Sequence, residues 1–191
     1  MTKRRDLRRL ATAAFALSIA AGCDPSGETG EPSERSGNAA SEDPLDYADL
    51  VVHAVEPGEP TPEGLAYVRA VADVMAQAEG ADAETRITIL RKGLALPVPA
   101  GLGEAEILRL ELAATLAETL LERPEGAQVA HDMLMPMLKT ERSLPLDRAS
   151  ARALVALGDA SVKTGRDALA AGSYARSIRM MSMLRQELVN R

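Results

Sequence analysis

The side chains in this sequence that can do chemistry fall into three sets. Cys23 is the only cysteine, so no internal disulfide can form and its thiol is open to acylation. His53 and His131 are the only histidines, and so the only side chains with an ordinary pKa suited to base work near neutrality. His53 lies in the run LVVHAV and is expected at the end of a short helix over 44–55, and His131 is expected to pack or to sit on a rim. The third set is methionine: Met133, Met135 and Met137 form one cluster and Met180, Met181 and Met183 another. Three thioethers converging on one point would suit Cu(I), but side chains two apart on a helix are rotated by about 200°. Convergence therefore requires two segments of chain to meet. Met133, Met137 and Met181 are expected to be buried, whereas Met135 continues the polar series Glu125, Gln128, Asp132 and Lys139. Met183 likewise continues Arg176, Arg179 and Gln186. Met135, Arg176, Arg179 and Met183 are thus the expected interaction surface.

Other chemistries lack their residues. No serine sits in a Gly-x-Ser-x-Gly turn, no Gly-rich loop could cradle a phosphate, and neither CxxC nor HExxH occurs. The expectation is a protein that is not an enzyme and has no cofactor and no resident metal.

The start of the chain gives Cys23 a use. Lys3, Arg4, Arg5, Arg8 and Arg9 precede the apolar run LATAAFALSIAA at 10–21, which is too short to cross a bilayer core and has the order of a secretory signal peptide. Ala20-Ala21-Gly22-Cys23 resembles the lipobox of bacterial lipoproteins, although that family prefers Leu where Ala20 stands. The resemblance implies cleavage after Gly22 and lipidation of Cys23, which would hold the mature chain on a bacterial membrane. Asp24 resembles the inner-membrane retention signal of such lipoproteins, and the choice between inner and outer membrane stays open. Removing 1–22 takes five basic residues and one acid from totals of 22 and 28, leaving a formal charge of −10. The mature chain is thus acidic overall and is not expected to bind nucleic acid, although its charge is uneven, with eight bases against three acids over 148–191.

Residues 23–43 form a second region, an acidic tether rich in Gly, Ser, Pro and Glu. With no large apolar side chain to bury, it is expected to be disordered and to reach about 25 Å. From 44 to 191 the composition turns to Ala, Leu, Val, Met and Arg, which are mostly good helix formers. The expected class is all-α. The clearest helix is 104–122, with Ile107, Leu110, Ala114, Ala117 and Leu121 on the buried face and Glu111, Thr115, Glu118 and Glu122 on the wet one. Thr61-Pro62-Glu63 reads as a cap followed by proline at the first helical position, Gly80 ends that helix, and Asp82 opens the next. Pro136 is expected to bend a helix.

Helix starts near Glu63, Glu104 and Asp147 recur at 41 and 43 residues, which predicts three stacked helical hairpins; a non-repeating helical bundle is the other reading. Leu154, Leu157-Gly158, Ala170, Tyr174 and Ser177 are similar in spacing to the tetratricopeptide repeat. The earlier units match loosely, with His131 or Ile87 at the aromatic place. The resemblance implies a stack with a concave groove for peptide segments or helices. Together these readings lead to the expectation of a lipid-anchored cell-envelope scaffold that binds an envelope protein, with a methionine-based Cu(I)-binding lipoprotein as the alternative.

Overall fold

The computed structural model describes residues 50–56, 58–100 and 102–190. The signal peptide over 1–22, the lipidation site Cys23, the tether over 23–43 and the first residues of the helical region, 44–49, lie outside the described residues. The protein is all-α. Among the described residues it has helices α1 (Pro62–Glu79), α2 (Ala83–Leu94), α3 (Ala105–Leu121), α4 (Gly126–Leu134), α5 (Arg148–Lys163) and α6 (Asp167–Val189), with two-residue strands β1 (Val52–His53) and β2 (Leu144–Pro145).

Side-chain caps set the starts of α1, α2 and α5. The Gly64 amide donates to Thr61 Oγ1 at 3.0 Å, and Pro62, which has no amide hydrogen to satisfy, takes the first helical position. Asp82 Oδ1 accepts from the Thr85 amide at 3.1 Å, and Asp147 Oδ1 accepts from the Ala149 amide at 2.8 Å. Each cap satisfies an amide that has no partner inside the helix. Gly80 caps the end of α1, and Arg86 adds to this by donating to the carbonyls of Ala78 and Ala81 at 3.1 and 3.0 Å.

The helices pair as α1/α2, α3/α4 and α5/α6, and the hairpins stack: α2 packs on α3, α4 on α5, and α3 on both α1 and α5. The first helices form a touching row, while α2, α4 and α6 pack mainly on the first helices rather than on one another. That row is the inner side of the stack. The core is aliphatic, with Leu90, Leu110, Leu112, Leu116, Leu134, Leu138, Leu144, Leu154, Leu157 and Met180 fully buried. Because helices surround α3, Leu112, Ala113, Leu116, Thr119 and Leu120 are buried along with the expected Leu110, Ala114, Ala117 and Leu121, and Ile107 is half-buried. Glu111, Thr115 and Glu118 lie along a side of α3 that is open to half-buried, and Arg109 is exposed nearer its start.

Two expectations about elements are corrected. Residues 50–55 are not helical: β1 pairs in parallel with β2, Val52 opposite Leu144 and His53 opposite Pro145. The Leu144 and Leu146 amides donate to the carbonyls of Val51 and His53, both at 2.9 Å. β-branched Val51 and Val52 suit an extended segment laid over the buried Leu144. Pro136 ends α4 rather than bending it, since the helix stops at Leu134 and the Met137 amide closes a tighter turn onto the Leu134 carbonyl at 3.0 Å.

Candidate functional site

The inner row exposes one stripe from each of its helices. On α3 these are Glu111, Thr115 and Glu118; on α5 they are Arg148, Arg152, Val155, Asp159 and Val162. They follow helical spacing, so each set lies along one side of its helix. Arg152 joins the two stripes: its Nε donates to Glu118 Oε1 at 2.7 Å, and its Nη1 and Nη2 donate to Glu111 and to the other Glu118 oxygen. The hydrogen bonds that Arg152 donates to Glu118, with the charges of both carboxylates, hold the guanidinium pKa above its ordinary value. Beside this fixed ion network Met75, Ala76, Ala78 and Glu79 of α1, Arg86 of α2 and Thr115 of α3 line a cleft of about 510 Å³. An apolar wall next to a charged floor can seat one face of an amphipathic segment.

A second cleft of about 490 Å³ opens where β1 crosses the start of α3, lined among others by His53, Leu102, Glu106, Arg109, Met137 and Arg142. His53 Nδ1 lies 2.9 Å from Ser143 Oγ, and its Nε2 lies 3.9 Å from Glu106. Glu106 accepts instead from Arg142 Nη2 at 2.8 Å. A carboxylate beyond hydrogen-bond range and bound to an arginine does not orient the imidazole as a base, so the group ties β1 to α3 and the β2 loop. Sequence reading missed this assembly because its members are far apart in the chain; the β-branched residues before His53 were the available signal.

The expected interaction residues do not form one exposed surface. Arg176 was expected on a wet stripe and is instead 3 % exposed, with Nη1 donating to the Leu138 carbonyl at 2.7 Å. Burial lowers its pKa. The reason is the helix face: Ser173, Ser177 and Met180 are buried beside it, and Ser177 Oγ donates to the Ala151 carbonyl at 2.9 Å, so this side of α6 packs on α5. Arg179 is exposed. Met135 and Met183 are half-buried rather than outward, as are Met133 and Met137, and Met135 packs against the core. Met181, expected to be buried, is 47 % exposed, while Met180 takes the interior place. His131 is buried, with Nδ1 lying 3.0 Å from Asp132 Oδ1. Hydrogen bonds from Gln128 and His131 hold the Asp132 carboxyl below its ordinary value.

Among the described residues no group of three or more His, Cys, Asp and Glu side chains could hold a metal ion, and no helix is long and apolar enough to cross a membrane. No protein-family model, no curated protein and no solved structure matches the chain.

Proposed function

We propose that this chain is a lipid-anchored scaffold of a bacterial cell envelope, held at Cys23, and that its inner helical row receives a peptide segment of a partner envelope protein. The observation that carries the reading is the cleft that α1, α3 and α5 line together with Arg86 of α2, with an apolar wall beside the Arg152 ion network. Further support comes from the unit that resembles a tetratricopeptide repeat. Leu154 and Leu157 are fully buried there, and Ala170 and Ser177 are buried small residues. Gly158 lies directly beneath the ring of Tyr174. The lipobox motif supports the anchor.

Two measurements test the reading. A photo-crosslinking residue at Ala76 or Val155 on the inner row of the full chain should capture a discrete partner in membranes, whereas one at the exposed Val129 of α4 should not. Equal capture from Val129, or none from the inner positions, overturns the groove. Cys23→Ser should release the chain from the membrane fraction; a variant still wholly in that fraction after a high-salt wash overturns the anchor.

A further inference from the structure

The basic groups around the inner cleft are engaged with neighbours inside the chain, and acids outnumber them. All three guanidinium nitrogens of Arg152 donate to Glu111 and Glu118, so one positive charge serves two negative ones. Arg123 repeats the arrangement just past the end of α3, with Nη1 2.6 Å from Glu84 and Nη2 2.9 Å from Glu125. Arg86 turns Nε and Nη2 to the carbonyls of Ala78 and Ala81, and its Nη1 lies 4.0 Å from Glu122. Lys163 donates to the Leu121 carbonyl at 2.5 Å. Glu79, on the cleft wall, makes no hydrogen bond or ion pair among the described residues. Arg69, the next base along that side of α1, is about two turns from Ala76 and has exposed Asp73 about one turn on.

The cleft is therefore an apolar wall, Met75 and Ala76, set beside carboxylates in excess: Glu79, Glu84, Glu111, Glu118, Glu122 and Glu125 stand against Arg86, Arg123, Arg152 and Lys163. Glu111 gives one oxygen to Arg152 and keeps the other, and an ionised carboxylate only accepts hydrogen bonds. An acidic segment laid here would meet like charge, and Arg152 has no nitrogen left to receive it. A neutral apolar segment would cover the wall and leave the excess charge unpaired at its edge. A Lys or Arg side chain meets both demands, because its stem lies along apolar surface while its head reaches the acids.

We infer that the segment seated in this cleft is cationic and amphipathic, with aliphatic side chains against Met75 and Ala76 and a Lys or Arg head among the carboxylates of Glu79, Glu111 and Glu118. The inference rests on the groove reading above and adds to it the chemistry of the occupant. The balance of the whole chain acts in the same direction, since 28 acids against 22 bases draw a basic segment from a distance and turn an acidic one away.

Two short synthetic peptides test it against the full chain by fluorescence anisotropy. They share one amphipathic order of Leu and Ala and carry either Lys or Glu at the polar positions. The Lys peptide should bind at least about ten-fold tighter than the Glu peptide, and the margin should shrink as salt is raised. Glu79→Lys should weaken binding of the Lys peptide several-fold. Glu187→Lys, the same change of charge on the exposed end of α6, should leave it nearly unchanged, and circular dichroism checks that both variants are folded. Equal affinity for the two peptides, a preference for the Glu peptide, or equal loss from the two substitutions overturns the proposal. Binding of neither peptide overturns it too, and crosslinking at Ala76 then separates the two readings: capture there leaves the groove without its charge rule, whereas no capture at Ala76 or Val155 removes both.

Discussion

Gly158 has no side chain because Tyr174 occupies its space. A Cβ there would lie 2.8 Å from two ring carbons, well inside van der Waals contact. α6 cannot easily withdraw, since Ser177 is bonded to Ala151 and the Tyr174 hydroxyl donates to Asp159 Oδ1 at 2.6 Å. Gly158→Leu is therefore expected to cost about 1–3 kcal/mol or more of stability from overpacking, read as a lower melting temperature. Leu157→Ala, about 2–5 kcal/mol, gives the scale for the same hairpin. If Gly158→Leu melts like the parent while Leu157→Ala does not, the close approach of the two helices is wrong. Tyr174 also makes stability depend on pH. Burial, with the hydrogen bond and charge of Asp159, pushes its phenol up from 10.0 to about 12. A folded-state value above the unfolded one means a contribution that is complete below pH 10.0 and lost as pH rises through about 12. Tyr174→Phe should flatten that alkaline decline, as read from urea midpoints across the window; an unchanged slope would assign the decline to other groups.

At the scale of the element, the two sides of α6 give opposite expectations for residues that look alike in the sequence. Arg176→Glu places a carboxylate in a site 3 % exposed, where the nearest bonded group is the Leu138 carbonyl, and it should cost about 3 kcal/mol or more. Arg176→Met, which fills similar volume without charge, should cost much less. Met181→Ala, on the wet side, should stay within about 0.5 kcal/mol. Equal stability of the Arg176→Glu and Met181→Ala forms would contradict the orientation of α6. The helices were legible where a cap and a period coincide: Thr61 with Pro62, Asp82 and Asp147 all start helices as expected, and α3 has the expected wet stripe. Legibility failed where a tertiary contact outweighs residue type. Arginine is charged and so reads as exposed, yet its stem and head fill a slot beside two small serines. Ser173, Ser177 and Met180 at helical spacing already marked that face. β1 was missed because LVVHAV becomes a strand only by pairing with Leu144 and Pro145, a partner that local sequence cannot reveal. The inner cleft was foreshadowed only in outline, through the wet stripe of α3. Arg152, which organises it, carries no signal of its own before α3 and α5 are brought together.

For the molecule as a whole, the strap formed by β1 changes how the stack should come apart. In a simple stack each hairpin touches only its neighbours, so the end units open first and independently. Here the segment that precedes the first hairpin pairs with the loop between the second and third, joining residues such as His53 and Ser143 that are 90 apart in sequence. Opening the first hairpin and keeping the strap bound would leave α1 and α2 as a loop closed at both ends. Releasing the strap would uncover Leu144 and Pro145, both buried, at the start of α5. Either way the first hairpin is coupled to the third by a contact that nearest-neighbour packing does not supply. Deleting residues 1–56 is therefore expected to do more than lower the melting temperature through lost burial. In the intact chain, amides in the middle of α1 and α2 should exchange with solvent at rates near those of α5, because all three open together. In the shortened chain, α1 and α2 should exchange well before α5, and the unfolding transition should broaden or split. Hydrogen exchange read segment by segment decides the matter: if the protection of α1 and α2 relative to α5 is the same with and without residues 1–56, the strap is a surface contact that does not couple the ends of the stack.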